Sequence, residues 1–183
     1  AIVGIGALGT VSSELLARAG IGNLILIDQD IIEESNLQRQ FLFEEEDIGQ
    51  SKALVAGKKL QKINSSIEIH PHPIHLNSVN ISLLRKVDLV LDCTDNMQTR
   101  FLINDFCRKE KIPWIYSGAV GTKGILFPIL SNGPCLRCCG GTQSRETCDT
   151  AGVLNTVIVI VAGLQCTLAM KIIPHGAAQE VTG

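Results

Sequence analysis

Short apolar runs alternate along this chain with longer segments whose apolar residues recur every three or four positions. The alternation predicts strands and amphipathic helices in turn. Residues 1–4 read as a strand and 8–19 as a helix closed by Gly20. Residues 23–28 form a continuous apolar run, the pattern of a strand buried on both faces of a parallel sheet. Ser51 is the expected cap of a helix reaching about Ile63, with Leu54, Val55, Leu60 and Ile63 on one face. Further strands are expected at 67–70, 87–92, 113–117 and 124–130. A helix is expected over 96–109, with Phe101, Leu102 and Phe106 inward. This rhythm predicts an α/β fold: a doubly wound, Rossmann-like, mostly parallel sheet with helices on both faces.

Residues 131–151 break the rhythm. They are rich in Gly, Cys, Ser and Thr and read as a long mobile crossover loop. Residues 153–173 are apolar and helix-length, but Asn155, Thr156, Gln165 and Lys171 interrupt them and Gly163 sits near the middle. Membrane spans seldom carry so many polar groups, so a buried core helix is expected and no membrane partner. The polar tail after Pro174 is expected to fray.

Composition narrows the class. The 183 residues suit one domain over 1–183, and 45% hydrophobic content excludes a disordered chain. A net charge of −2 and 4% aromatic residues offer neither a basic face nor a stacking platform, so no nucleic acid partner is expected. Seven cysteines with no secretory leader point to reduced thiols or metal ligands in a cytoplasmic protein. The chain opens directly on a strand, which predicts further sequence upstream of residue 1.

The candidate chemistry lies in five blocks. Gly4-Ile5-Gly6-Ala7-Leu8-Gly9 joins a strand to a helix, where glycines let the backbone approach a phosphate and the helix N-terminus supplies amides. Asp28 ends the second strand, where an acidic residue takes a ribose hydroxyl pair, and Asp30 is placed to support the same edge or to cap the loop. An NAD(P)-dependent oxidoreductase would explain these two blocks and nothing after them. Arg39, within Ser35-Asn36-Leu37-Gln38-Arg39-Gln40, has a planar fork suited to phosphate oxygens. Lys52 opens a helix, where its charge opposes the macrodipole and calls for a compensating anion. Asp92 and Asp95 end the fourth strand. A carboxylate beside a triphosphate is repulsive unless it holds Mg²⁺, so Asp95 reads as a metal ligand; the rival reading is a cap for the helix from Asn96.

Taken together, these blocks resemble the ThiF/MoeB family of adenylyltransferases, relatives of ubiquitin-activating enzymes. Cys135-Leu136-Arg137-Cys138 and Thr150-Ala151-Gly152-Val153 extend the resemblance over nearly the whole chain. The resemblance implies ATP-dependent adenylylation of the C-terminal glycine carboxylate of a ubiquitin-like sulfur-carrier protein ending in Gly-Gly. Pyrophosphate is released, in the service of thiamine or molybdopterin biosynthesis. It implies Asp28 on the ribose, Asn36, Arg39, Gln40 and Lys52 on the triphosphate, and Asp95 on Mg²⁺ with Asn96 nearby. It also implies a homodimer. A non-catalytic scaffold member of the same family is the remaining alternative, although a scaffold has no need of Arg39, Lys52 and Asp95.

The resemblance has departures. Ala7 stands where the family commonly has glycine, which narrows the phosphate approach. The family's N-terminal helix, with its reaching Arg, and its second Cys-x-x-Cys are not in these residues. Cys135 and Cys138 have metal-ligand spacing, and structural Zn²⁺ in the full-length protein would need two more ligands; a redox pair is the other reading. Cys148 lies in a segment closer to the thiazole branch, where a loop cysteine enters sulfur transfer; it could equally be an incidental thiol. Cys93, Cys107 and Cys166 are expected in the core, and His70, His72 and His75 at an exposed strand end.

Overall fold

The structure, a computed structural model, describes residues 1–139 and 152–173. Six strands form one sheet. They are β1 (Ile2–Val3), β2 (Asn23–Ile27), β3 (Glu68–His72), β4 (Val90–Asp92), β5 (Trp114–Val120) and β6 (Lys123–Ile129), in the order β3-β2-β1-β4-β5-β6. The first five run parallel and β6 turns back antiparallel on β5. The helices are α1 (Ala7–Arg18), α2 (Lys52–Ile63), α3 (Met97–Glu110) and α4 (Asn155–Ile172).

Strand alternation divides the core into two layers. Ile2, Leu26, Leu91 and Ile115 pack with residues of α1, α2 and α4. Val3, Ile27, Val90 and Trp114 pack on the other side with Ile103 and Cys107 of α3. Helices therefore cover both faces, as the pattern predicts. Pro71 lies in β3, an edge strand that tolerates the missing N–H, and packs against Gly57 of α2.

The chain order reverses between β1 and β4. Here the carboxyl ends of two adjacent strands lead to opposite sides and leave a crevice. Val3 is paired with Asp92 at this point, so the glycine turn after β1 and the acidic turn after β4 face the same opening.

Several local expectations are corrected. Ser51 occupies the N-cap position of α2, but its Oγ makes no capping bond and has no partner. Leu54 is exposed; Ala53, Val55, Ala56 and Leu60 form the buried face. In α3, by contrast, Phe101, Leu102 and Phe106 pack inward as expected, half-buried beside the fully buried Ile103 and Cys107. Helix α4 is long and apolar enough to cross a membrane, and only 33% of it is buried. Ile158, Val161, Ala162, Cys166 and Ala169 pack into the core, while Val159, Ile160, Leu164 and Met170 face outward. It is thus a core helix on one side and an apolar surface on the other. Of the segment read as a crossover loop, residues 140–151 lie outside the described residues, and Cys148 with them.

Candidate active site

The crevice at the strand reversal opens into a cleft of about 1490 Å³. Gly4, Gly6, Ala7, Asp28, Asp30, Lys52, Asp95 and Asn96 all line it, as do Ser35, Asn36, Gln38, Arg39 and Gln40. The blocks singled out in the sequence therefore converge on one cavity.

The three glycines have different jobs. Gly4 sits at φ +87°, and a Cβ there would lie 2.8 Å from the Cys93 carbonyl. At Gly9 a Cβ would collide with the Gly4 carbonyl, so Gly9 lets α1 pack under the turn and does not line the cleft. A Cβ on Gly6 would meet only Gln40 Nε2, at 3.8 Å; its bare backbone matters for what enters the cleft. Helix α1 starts at this turn with no side-chain cap and no acidic residue in its first turn. Its amide end is therefore directed at the cavity with partial positive charge, an arrangement suited to an anion.

Asp28 closes the neighbouring wall. Its Oδ2 accepts the Ile5 N–H at 2.6 Å and its Oδ1 the Asp30 N–H at 2.8 Å, which ties the glycine turn to the end of β2. Burial pushes its carboxyl above the ordinary value; the two amides and the Lys52 charge pull the other way and are outweighed. Each carboxylate oxygen accepts one amide and has acceptor capacity left over, and Asp28 lines the cleft, which suits a ribose diol.

Lys52 is buried, and its Nζ pairs with Asp30 Oδ2 at 3.1 Å. The anion beside it at the helix start is thus Asp30, whose carboxylate caps no backbone amide among the described residues. The excursion between β2 and α2 is pinched at its neck by bonds from Ile32 N–H to the Gln50 carbonyl and from Lys52 N–H to the Asp30 carbonyl. Lys59 of α2 reaches back to Glu44 and Asp47 on the same excursion. Asn36 turns its carbonyl oxygen to the Glu33 N–H, and Ser35 reaches Glu33 Oε2 at 3.4 Å. Leu37 packs against the core and lies off the cleft lining. Arg39 Nη1 donates to the Ser35 carbonyl at 2.8 Å. Gln40 is buried with its Oε1 unpartnered, a polar atom of the kind that a ligand satisfies. An uncapped helix N-terminus, a buried lysine, an arginine and an orphaned amide on one cavity fit a polyphosphate.

The turn after β4 separates its two aspartates. Asp92 is wholly buried, paired with Arg100 of α3 at 3.2 Å. Burial raises its carboxyl, against the pull of Arg100 and of the Thr94 hydroxyl and amide. Asp95 is exposed at the cleft rim, and the cap of α3 is Asn96, whose Oδ1 accepts the Thr99 N–H at 2.9 Å. Asp95 therefore keeps its carboxylate for the cleft, and a hard cation beside phosphates is the ligand it fits.

Cys135 and Cys138 meet at Sγ···Sγ 3.4 Å. Burial presses upward on the Cys135 thiol, but hydrogen bonds involving Cys138, Arg137 and Asn104 outweigh it and hold the thiol low. Two thiols at this spacing have the chemistry of zinc ligands or of a redox pair, and no cluster of three metal-ligating side chains exists among the described residues. Cys93, Cys107 and Cys166 are buried. His70 is exposed, 3.4 Å from Asn23 Oδ1, and His75 edges the cleft.

Sequence reasoning missed Arg100, Tyr116, Gln165 and the strand hairpin from Gly118 to Ile125. The first two and the hairpin line the cleft, and Gln165 of α4 lies behind it, accepting from the thiol of the lining residue Cys93. The available signal was an apolar strand ending in Asp92, whose pleat turns that side chain toward α3, with an arginine one turn into that helix.

A sequence model of the ThiF family matches residues 1–182. The chain is 39% identical over 98% of its length to the sulfur carrier protein ThiS adenylyltransferase of Bacillus subtilis, covering 55% of that protein. It is 36% identical over 100% of its length to the adenylyltransferase and sulfurtransferase MOCS3 of Xenopus laevis, covering 42% of it. The chain thus spans about half the length of these curated relatives. Among solved structures, E. coli MccB with ATP superposes with a TM-score of 0.80 at 30% identity, over 94% of this chain and 54% of that one.

Proposed function

The chain belongs to the ThiF family, and from that premise we propose that it adenylylates the C-terminal glycine carboxylate of a small ubiquitin-like sulfur-carrier protein ending in Gly-Gly. A carboxylate oxygen of the carrier attacks the α-phosphorus of ATP, the bond from that phosphorus to the bridging oxygen breaks, and pyrophosphate leaves. Two relatives named for adenylyl transfer, one to a ThiS carrier, support the substrate class, and the ATP complex of MccB supports the nucleotide. The observation that carries the reading is that the buried Lys52 and the uncapped start of α1 line one cleft.

Both reactants are anions, so the barrier is largely charge repulsion, and fixed positive groups lower it without reorganising. Asp28 holds the ribose. Lys52, Arg39, Gln40 and Asn36 hold the phosphates, and the α1 amides receive the anionic charge. Asp95 holds Mg²⁺, which would neutralise charge on the phosphates when bound. Zinc would close on Cys135 and Cys138 together with two ligands from outside the described residues.

The protein is proposed to work in the cytoplasm as a homodimer. The exposed apolar strip of α4 supports the dimer, because Val159, Ile160 and Leu164 on one face are costly to leave in water. Sedimentation of the full-length protein tests it: Ile160→Asp should yield monomer, and a wild-type monomer contradicts it. An oxidoreductase would leave Lys52, Arg39 and Asp95 without employment.

Asp95→Ala tests the chemistry. Mass spectrometry of the carrier should show adenylate with wild-type protein and none with the variant, while metal-free ATP binding survives. Unchanged adenylate formation by Asp95→Ala contradicts the assignment.

A further inference from the structure

Between Asp92 and Asn96 every side chain but one is committed to holding the turn. Asp92 Oδ1 accepts both the N–H and the hydroxyl of Thr94, at 3.0 and 2.6 Å. Cys93 Sγ donates to Gln165 Oε1 at 3.4 Å. Asn96 caps α3 through the Thr99 N–H. Asp95 makes none of these bonds and is exposed to the cleft.

The guanidinium of Arg100 is the centre of this framework. Its Nε donates to Asp92 Oδ2 at 3.2 Å. One Nη2 serves the carbonyls of Thr94 at 2.5 Å and Ser117 at 3.0 Å. Nη1 donates to the Tyr116 hydroxyl at 3.2 Å, and the group stacks 4.6 Å above the Tyr116 ring. Arg100 thus clamps the peptide carbonyl directly before Asp95 to β4 and β5 at once. Its charge is neutralised by Asp92, so it is not a phosphate ligand in waiting.

We propose that Arg100 is a positioning residue for Asp95: it fixes the Thr94 carbonyl, and through it the direction in which the Asp95 carboxylate meets a divalent cation. This inference rests on the reading of Asp95 as a metal carboxylate. Residues that orient a metal ligand without touching the metal typically change affinity or activity ten- to a hundredfold when altered. A lysine cannot replace Arg100, because a point charge does not reach Asp92, Thr94 and Ser117 together.

The test is calorimetric binding of a non-hydrolysable ATP analogue to the full-length protein, with and without Mg²⁺. Four variants are compared: Arg100→Lys, Thr94→Val, Asp95→Asn and the Arg100→Lys/Asp95→Asn pair. Arg100→Lys keeps the buried charge opposite Asp92 and hence the fold. The proposal expects it to lose on the order of tenfold of the Mg²⁺-dependent gain in affinity while metal-free binding stays unchanged. The double variant should lose no more of that gain than Asp95→Asn does, the sign of two residues acting through one site. Thr94→Val, which loosens the turn from its other anchor and spares the guanidinium, should move in the same direction. A full Mg²⁺ gain in Arg100→Lys, or a loss equal with and without Mg²⁺, overturns the proposal. If wild-type protein itself shows no Mg²⁺ gain, the reading of Asp95 falls and this inference with it.

Discussion

Lys52 Nζ lies 3.1 Å from Asp30 Oδ2, a buried ammonium held by a carboxylate that is itself more than half exposed. Without ligand, the cation assigned to the phosphates rests on a neighbouring anion. Lys52 opens α2, and its own amide donates to the Asp30 carbonyl, so partner and backbone anchor are one residue. Water reaches one side of the pair, which limits its worth to about 0–1 kcal/mol.

Removing that competitor should favour phosphate. Asp30→Asn is expected to tighten ATP binding by roughly twofold to fivefold, since an interaction of that size is no longer broken on binding. Lys52→Ala should weaken binding by tenfold or more on the order of a lost charge-assisted contact. Equilibrium dialysis with labelled ATP checks both, and weaker binding by Asp30→Asn would assign that carboxylate to the nucleotide side.

Gly6 and Gly9 belong to one motif and should fail differently. Gly6→Ala places a methyl in open cleft, 3.8 Å from Gln40 Nε2, so thermal stability should change little while ATP affinity falls. Gly9→Ala drives a methyl into the Gly4 carbonyl and should cost about 1–3 kcal/mol of stability as the turn shifts. Thermal melts paired with ATP titration separate the two outcomes.

Asp28 sets a pH dependence. Burial raises its carboxyl above 3.8 in the folded protein, so the neutral form is the one that folding favours. Its contribution to stability is complete below 3.8 and is lost as pH rises through the raised value. Wild-type protein should therefore lose stability relative to Asp28→Asn as pH climbs through that window. ATP affinity moves oppositely: acceptance of ribose hydroxyls needs the ionised form and should fade at a pH where ordinary carboxylates stay charged. Denaturant melts and ATP titrations across the acidic range check the two slopes.

The cysteines should sort by burial. At mildly alkaline pH, alkylation is expected at Cys135 and Cys138 and not at Cys93, Cys107 or Cys166 while the fold is intact. Burial pushes Cys107 up to about 12 and Cys166 to about 11, and Cys93 higher still. Cys135 is held low and should react first among the buried and half-buried thiols. Zinc should protect Cys135 and Cys138 in the full-length protein. Peptide mapping after iodoacetamide reads every site.

What was legible in the sequence was what neighbours in the chain decide. Gly4, Gly6 and Gly9 between a strand and a helix, and Asp28 at the next strand end, announce a nucleotide crevice because local geometry and chemistry coincide. Lys52 was legible as a charge out of place at a helix start, and Arg39 as a planar fork suited to phosphate. Asp92 and Asp95 looked alike in sequence and are opposites in space. Strand pleat turns Asp92 into the layer of Val90 and Tyr116, against Arg100, while Asp95 lies past the strand on a turn. Gln165 was hidden for a further reason. Its partners Ser12, Cys93 and Ser117 come from α1, the end of β4 and β5, and only the assembled sheet brings them together. The outward face of α4 was hard to place because apolar residues run round the whole helix and its central polar side chain, Gln165, is buried rather than exposed.

Activation of a carboxylate with ATP is the reaction proposed for this cleft. ATP–pyrophosphate exchange on the full-length protein, with and without a carrier ending in Gly-Gly, tests it most directly. Exchange is expected to require the carrier and to disappear with Asp95→Ala. Protein that binds ATP yet exchanges no pyrophosphate with any such carrier would contradict it.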